Sequence, residues 1–362
     1  MTVKETLISS REQRKPWIET PLKESYALSK AAGCRIFLKL ETLQPSGSFK
    51  SRGIGNYILR RLEELPPNGN VSPHIFSSSG GNAGLAAVHA SRTLGLPCTV
   101  VVPLSTKPMM IAKLKAAGAT EVIQYGPTWA DADAHLRKEV MVKAGNAAIY
   151  TPPFDHPDIW TGHSTLIPEL FAQLPDSSPP SAIICSVGGG GLFNGVCQGL
   201  DDLGMADRTT VLALETKGAE SLAKSVEKGE LVTLPGITSQ ATSLGAVRVV
   251  QRSLDYALTH NVRSVVLSDE QAAMGCWRLA DDERIMVELA CGVNVALCYN
   301  GGLERAMGRK MGREEKVVIV LCGGSNVTVD LLAKWRAEWG WVDEGRKDSA
   351  RGGVPSEVSR PM

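Results

Sequence analysis

The sequence predicts an α/β protein of parallel βαβ units, covered by helices on both faces and divided into a larger and a smaller domain. Short continuous apolar runs such as Cys98–Val102 and Ile183–Val187 lack polar alternation, as strands buried on both faces do. Amphipathic or alanine-rich segments of helical length stand between such runs, and several stop at glycine. Glycine- and serine-rich turns lie where an apolar run gives way to a helical segment, the carboxyl ends of strands, where open α/β sheets bind ligands.

Thr20-Pro21-Leu22 reads as an extended entry, Glu24–Ala32 as a short helix ended by Gly33, and Cys34–Glu41 as a strand. The turn Pro45-Ser46-Gly47-Ser48-Phe49-Lys50 follows, and Ile54–Arg61 is helical. The alternation continues with a strand at His74–Ser77, a helix at Asn82–Leu94, a strand at Cys98–Pro103 and a helix at Lys107–Ala117. Glu121–Gln124 is then a strand and Trp129–Lys143 a helix. Three prolines within Tyr150–Pro157 mark a return from one domain to the other, so we expect a small domain over 48–151 and a large one over 1–47 plus 152–342. The large domain contains helices at 158–174 and 192–203 and strands at 182–187 and 210–215. Helices at 249–260, 269–282 and 287–309 and strands at 264–267 and 316–321 complete it. The polar residues 343–362 read as a disordered tail.

Composition narrows the function classes. A chain of 362 residues with 43% hydrophobic content can bury a sizeable core, and its 39 basic against 38 acidic residues leave a net charge of +1. No field of that size recruits nucleic acid or an anionic membrane, so a small-molecule partner is expected. The polar N-terminus and the absence of a long apolar run point to a soluble, cytoplasmic protein. The eight cysteines show no C-x-x-C pair and no zinc spacing, and read as free, buried thiols.

Lys50 opens a helix behind a turn that brings backbone close to whatever binds there. It is either a solvated surface charge or, if desolvated, an amine able to form a Schiff base. Ser78-Ser79-Gly80-Gly81-Asn82-Ala83-Gly84 can hold a carboxylate on its N–H groups and hydroxyls, with the Asn82 amide donating to a phenolate oxygen, or it can be a plain helix cap. Gly188–Gly191 offer four consecutive N–H groups at a helix start. Neither a nucleotide P-loop nor a clean dinucleotide spacing is met there, so a phosphomonoester fits best. Cys322 and Glu215, each at a strand end, could be structural.

Taken together these residues resemble the type II fold family of pyridoxal-phosphate enzymes (tryptophan synthase β-like), and within it the L-serine dehydratase, or serine/threonine ammonia-lyase, branch. The likeness covers about Thr20 to Leu332 and rests on P-S-G-S-F-K-S-R-G-I-G at 45–55, S-S-G-G-N-A-G at 78–84 and P-P-F-D-H-P-D-I-W-T-G-H at 152–163. S-V-G-G-G-G-L at 186–192, E-T-K-G-A at 215–219 and C-G-G-S-N at 322–326 complete the set. The resemblance implies two open, mostly parallel twisted sheets flanked by helices, with the cofactor in the cleft between a larger and a smaller domain. It implies that Lys50 forms the Schiff base with pyridoxal 5′-phosphate, that Phe49 packs beside the ring, and that Gly188, Gly189, Gly190 and Gly191 hold the phosphate. Asn82 would take the ring oxygen, Cys322 would face the ring nitrogen, and Ser79, Gly80, Asn82 and Ala83 would receive the substrate. Glu215, with carbonyls of Gly188, Ala219, Leu244 and Ala246, would match a monovalent-cation site for potassium. A homodimer in amino-acid catabolism and gluconeogenesis, without an added regulatory domain, is also implied.

The expected reaction is β-elimination from L-serine, and from L-threonine, to pyruvate or 2-oxobutyrate with ammonia, Lys50 acting as base. A thiol at the ring nitrogen would bias the site to elimination over transamination. Gly80 stands where many relatives carry alanine or serine and would enlarge the space near the substrate's β-group. It cannot supply the second acid-base residue that a racemase needs. A β-replacement synthase resembling cysteine synthase and a non-catalytic phosphate-ligand-binding α/β protein are the alternatives.

Overall fold

The computed structural model describes residues 15–65, 72–343 and 358–359, which divide into two compact units. The first takes the described residues up to Glu19 together with Leu43–His163; the second takes Thr20–Thr42 and the described residues from Ser164 onward.

The first unit is built on a wholly parallel sheet of β3 (His74–Ser77), β4 (Cys98–Val102), β5 (Glu121–Gln124) and β6 (Ala148–Tyr150), in the order β5-β4-β3-β6. Side chains alternate across it. Ile75, Val100 and Val102 pack with Ile54, Ile58, Leu85 and Val88, from the helices Lys50–Glu63 and Asn82–Thr93. Phe76 and Val101 point the other way, onto Ala132 and Leu136. All five positions of β4 are buried, and the one polar residue among them, Thr99, has its hydroxyl 2.9 Å from His74 Nε2.

The second unit holds a seven-stranded sheet in the order β1-β2-β10-β7-β8-β9-β11. The strands are β1 (Leu22–Glu24), β2 (Arg35–Lys39), β7 (Ala182–Ser186), β8 (Thr210–Thr216), β9 (Val262–Leu267), β10 (Lys316–Val320) and β11 (Val358–Ser359). The five inner strands are parallel, and β1 and β11 pair antiparallel at the edges. β7, β8 and β10 are buried along their whole length; they are mostly apolar, and the buried Glu215 of β8 accepts two backbone N–H groups.

Several elements differ from the sequence reading. The helix expected over 129–143 is α-helical only at Trp129–His135 and passes through a π turn (Leu136–Val140) and a 3₁₀ stretch (Met141–Ala147) into the unanticipated strand β6. The single helix expected over 158–174 is two, Pro157–Ser164 and Leu166–Gln173. Pro168 can donate no N–H and its ring clashes with the carbonyl four residues back, at Ser164, where the first helix ends. The segment 287–309 divides into Leu289–Ala296 and Gly302–Met307 because Asn300 and Gly301 turn left-handed, with φ of 52° and 69°. Helices Ser221–Lys228 and Val329–Trp339 were not anticipated.

The expected small domain, 48–151, falls inside the first unit, which continues to His163 because the segment after β6 packs on the Lys50 helix. Of the expected tail, 344–357 and 360–362 lie outside the described residues. Asp343 is paired with Arg278 and, at 2.7 Å, with Arg336. No helix among the described residues is long and apolar enough to cross a membrane.

Candidate active site

Each unit carries its own set of the expected residues. In the first, Gly47 turns left-handed at φ 78° and the Ser46 and Ser51 hydroxyls meet at 2.7 Å, so the chain enters the Lys50 helix through a closed turn. Lys50 is the first residue of that helix. Its Nζ donates to the Pro153 carbonyl at 2.5 Å and lies 5.2 Å from the Phe49 ring and 6.0 Å from that of Phe154.

The 152–163 segment clasps this helix. Asn56 Nδ2 donates to the Asp158 carbonyl at 2.7 Å, Arg61 pairs with the Asp158 carboxylate at 2.5 Å, and the Tyr57 and His156 rings meet edge-on at 4.9 Å. His163 lies under the first turn, its ring 4.8 Å from that of Phe49, and a Cβ at Gly53 would come within 2.4 Å of it. Complete burial, with the charges of Lys50 and Arg52 nearby, holds the His163 pKa well below its ordinary value and keeps the ring neutral.

The loop after β3 gathers Ser79, Gly80, Asn82 and Ala83 at the start of the helix Asn82–Thr93. The Gly81 N–H donates to Ser79 Oγ at 3.3 Å, and the Ser79 carbonyl crosses the helix so closely that a Cβ at Gly84 would lie 1.8 Å from it. Residues that sequence reasoning missed anchor this loop. Ser78 Oγ and the Tyr150 hydroxyl each donate to Asp133 Oδ1 at 2.7 Å, and Arg137 donates to Oδ2 at 2.9 Å. Gly80 departs from expectation: the space beside it is not enlarged, because Thr106 and Val102 fill the direction a side chain would take.

In the second unit, Gly188–Gly191 leave β7 and open the helix Gly191–Asp202. Gly190 has φ 98°, and a Cβ there would lie 1.9 Å from Ser253 Oγ, which donates to Asn194 Oδ1 at 2.7 Å. A Cβ at Gly188 would reach within 3.1 Å of Leu244. The turn therefore presents backbone rather than side chains at a helix N-terminus, with Ser253 and Leu244 packed close against its glycines. Ser253 and Asn194, its support, were also missed; their distance in sequence leaves no local signal.

Cys322, just beyond β10, is buried at 4% exposure, with Sγ 3.5 Å from Ser186 Oγ and donating weakly to the Ala290 carbonyl at 3.8 Å. Glu215 is fully buried near the end of β8, where its two oxygens accept the Leu222 and Ala223 N–H groups at 2.8 Å each. Burial pushes its pKa up to about 8 against the pull of those bonds. Of the other residues assigned to a cation, Ala219 and Leu244 are buried, and the Leu244 carbonyl accepts the Ala246 N–H at 2.7 Å. All eight cysteines are free and buried.

Known proteins are similar to this chain over most of its length. Residues 14–323 match the family described as pyridoxal-phosphate dependent enzyme. The chain is 43% identical over 319 residues to the catabolic L-serine/threonine dehydratase of Saccharomyces cerevisiae, covering 86% of this chain and 88% of that protein. It is 41% identical over 338 residues to the human protein named serine dehydratase-like, covering 92% and 99%. Among solved structures it is similar to a fungal L-serine ammonia-lyase from Rhizomucor miehei, with a TM-score of 0.82 and 35% identity over 90% of this chain and 99% of that one.

Proposed function

Because the chain belongs to the pyridoxal-phosphate-dependent enzyme family, we propose that it is a lyase that deaminates L-serine to pyruvate and ammonia, and L-threonine to 2-oxobutyrate. The observation that carries this reading is the placement of Lys50. It stands at the first turn of its helix, within 6.0 Å of two aromatic rings and against a backbone carbonyl, in a chain whose relatives are named serine dehydratases.

The residues fit the cofactor. Gly188–Gly191 would hold its phosphate on their N–H groups at the start of the helix Gly191–Asp202, where Ser253 packs so closely on Gly190 that no side chain fits. Lys50 would hold its aldehyde carbon, Phe49 would pack beside its ring, Asn82 would donate to the ring oxygen, and Cys322 would face the ring nitrogen. When bound, pyridoxal phosphate supplies the electron sink that lets the bond from Cα to hydrogen ionise.

The chain does the rest. Ser79, Asn82 and the Ala83 N–H receive the substrate carboxylate, and the Asp133, Tyr150 and Arg137 network keeps that loop in place. Lys50 takes the Cα proton as general base and holds it at Nζ. His163, neutral and fully buried, puts no second positive charge beside that amine. The β-hydroxyl takes up one proton, balancing the one removed from Cα, and leaves as water; hydrolysis by one water then gives the 2-oxo acid and ammonia. Glu215 with the carbonyls of Gly188, Ala219, Leu244 and Ala246 is the candidate potassium site, and a buried carboxylate with a raised pKa is one that a cation would keep ionised. A cytoplasmic homodimer acting in amino-acid catabolism and supplying gluconeogenesis is the setting we propose from the family resemblance.

The test is incubation of the purified protein with L-serine and, separately, L-threonine, following oxo acid and ammonia beside Lys50→Ala. Product that disappears in the variant supports the reading; visible cofactor absorbance without product would point to replacement chemistry and refute it.

A further inference from the structure

The side chain that Gly80 lacks is supplied from another element. A Cβ built on Gly80 would stand 2.9 Å from Cγ2 and 3.3 Å from Oγ1 of Thr106, and 3.3 Å from Cγ1 of Val102. β3 and β4 are adjacent and parallel, so the loop after β3 and the turn after β4 emerge at the same edge of the sheet. The β3 loop carries Ser79–Ala83, and the β4 turn carries Thr106. That turn is held by its own hydrogen bonds: Thr106 N–H donates to the Pro103 carbonyl at 3.0 Å and Leu104 N–H to the Gly126 carbonyl at 2.9 Å. Threonine is stiff at χ1, so its methyl and hydroxyl present a fixed surface to Gly80.

We propose that Thr106 is the specificity-determining residue for the substrate's β-substituent, setting the room beside Gly80 that decides between L-serine and L-threonine. This inference rests on the lyase reading and on the assignment of Ser79–Ala83 to the substrate. The two substrates differ by one methyl group, and Thr106 Cγ2 is the atom nearest the direction of a Gly80 side chain. Removing that methyl opens space for the substrate's own. Thr106 acts by shape, so valine, which keeps the branching, preserves the preference.

The experiment compares kcat/KM for the two amino acids in the parent holoenzyme and in Thr106→Ala, Thr106→Ser and Thr106→Val, with thermal melting of Gly80→Ala and of the Gly80→Ala/Thr106→Ala pair. The threonine-to-serine ratio should rise about tenfold in Thr106→Ala, and in Thr106→Ser should the alanine variant not fold, and stay within about twofold in Thr106→Val. Gly80→Ala should lower the melting temperature and Thr106→Ala should restore it, a non-additivity that reports the contact without any turnover. A ratio unmoved in both Thr106→Ala and Thr106→Ser, with oxo acid still formed, overturns the inference alone, as does an undiminished Gly80→Ala penalty in the double variant. No oxo acid from either substrate with the parent overturns the lyase reading and this inference with it.

Discussion

Replacing Glu215 by glutamine should reverse the order of stability between variant and parent as pH rises. The parent carboxyl is fully buried, accepts two amide bonds of 2.8 Å, and has its pKa moved from 4.5 to about 8, with burial the largest cause. Below pH 4.5 the group is protonated in the folded and unfolded chain alike, so all of its stabilisation is present. Above that value the unfolded chain releases a proton that the folded chain keeps, and each further pH unit costs the fold about 1.4 kcal/mol. The loss continues until pH passes about 8 and amounts to on the order of 5 kcal/mol. Glutamine abolishes this slope but sets an NH₂ against one of the two amide N–H groups, a penalty of about 1–3 kcal/mol at every pH. Glu215→Gln should therefore melt below the parent near about pH 5 and above it near about pH 8. Thermal unfolding of the holoenzyme across that range, in buffer free of monovalent metal ions, reads the crossing, and parallel curves would refute the reasoning. Potassium added at the alkaline end should raise the parent's melting temperature and leave the variant's unchanged.

Two further outcomes follow from the second unit. Gly190→Ala forces a side chain into a left-handed position, at about 1–2 kcal/mol, and displaces Ser253 from Asn194; cofactor affinity should fall at least about tenfold, and an unchanged dissociation constant in dialysis would contradict the assignment of this turn to the phosphate. Cys322→Ala removes the thiol beside Ser186 and should shift product from elimination toward transamination, measured as the ratio of ammonia released to aminated cofactor; a constant ratio would remove the thiol from the account.

Much of this arrangement was legible in the sequence because it is local. β3 and β5 match their expected bounds since apolar runs end there against turn residues, and the glycine turns fall where a strand meets a helix. What escaped depends on packing between distant positions. Asp133 and Tyr150 reach Ser78 only through the arrangement of β3 and β6, and β6 is a strand of three residues with little periodicity to detect. Thr106 meets Gly80, and Ser253 meets Gly190, across gaps that no spacing rule spans. The expectation of open space at Gly80 failed for the same reason: a missing side chain is visible in a sequence, and its replacement from a neighbouring turn is not.

The grip of residues 153–163 on the Lys50 helix bears on how this protein could be divided or rebuilt. The four strands of the first unit are complete by Tyr150, so a fragment ending there would possess its entire sheet. Such a fragment would lack the Pro153 carbonyl, His156, Asp158 and His163 that fix the helix from Lys50 to Arg61. A truncation before Pro153 would thus keep all four strands yet lose the core residue Ile159 and the aim of the one amine on which the chemistry turns.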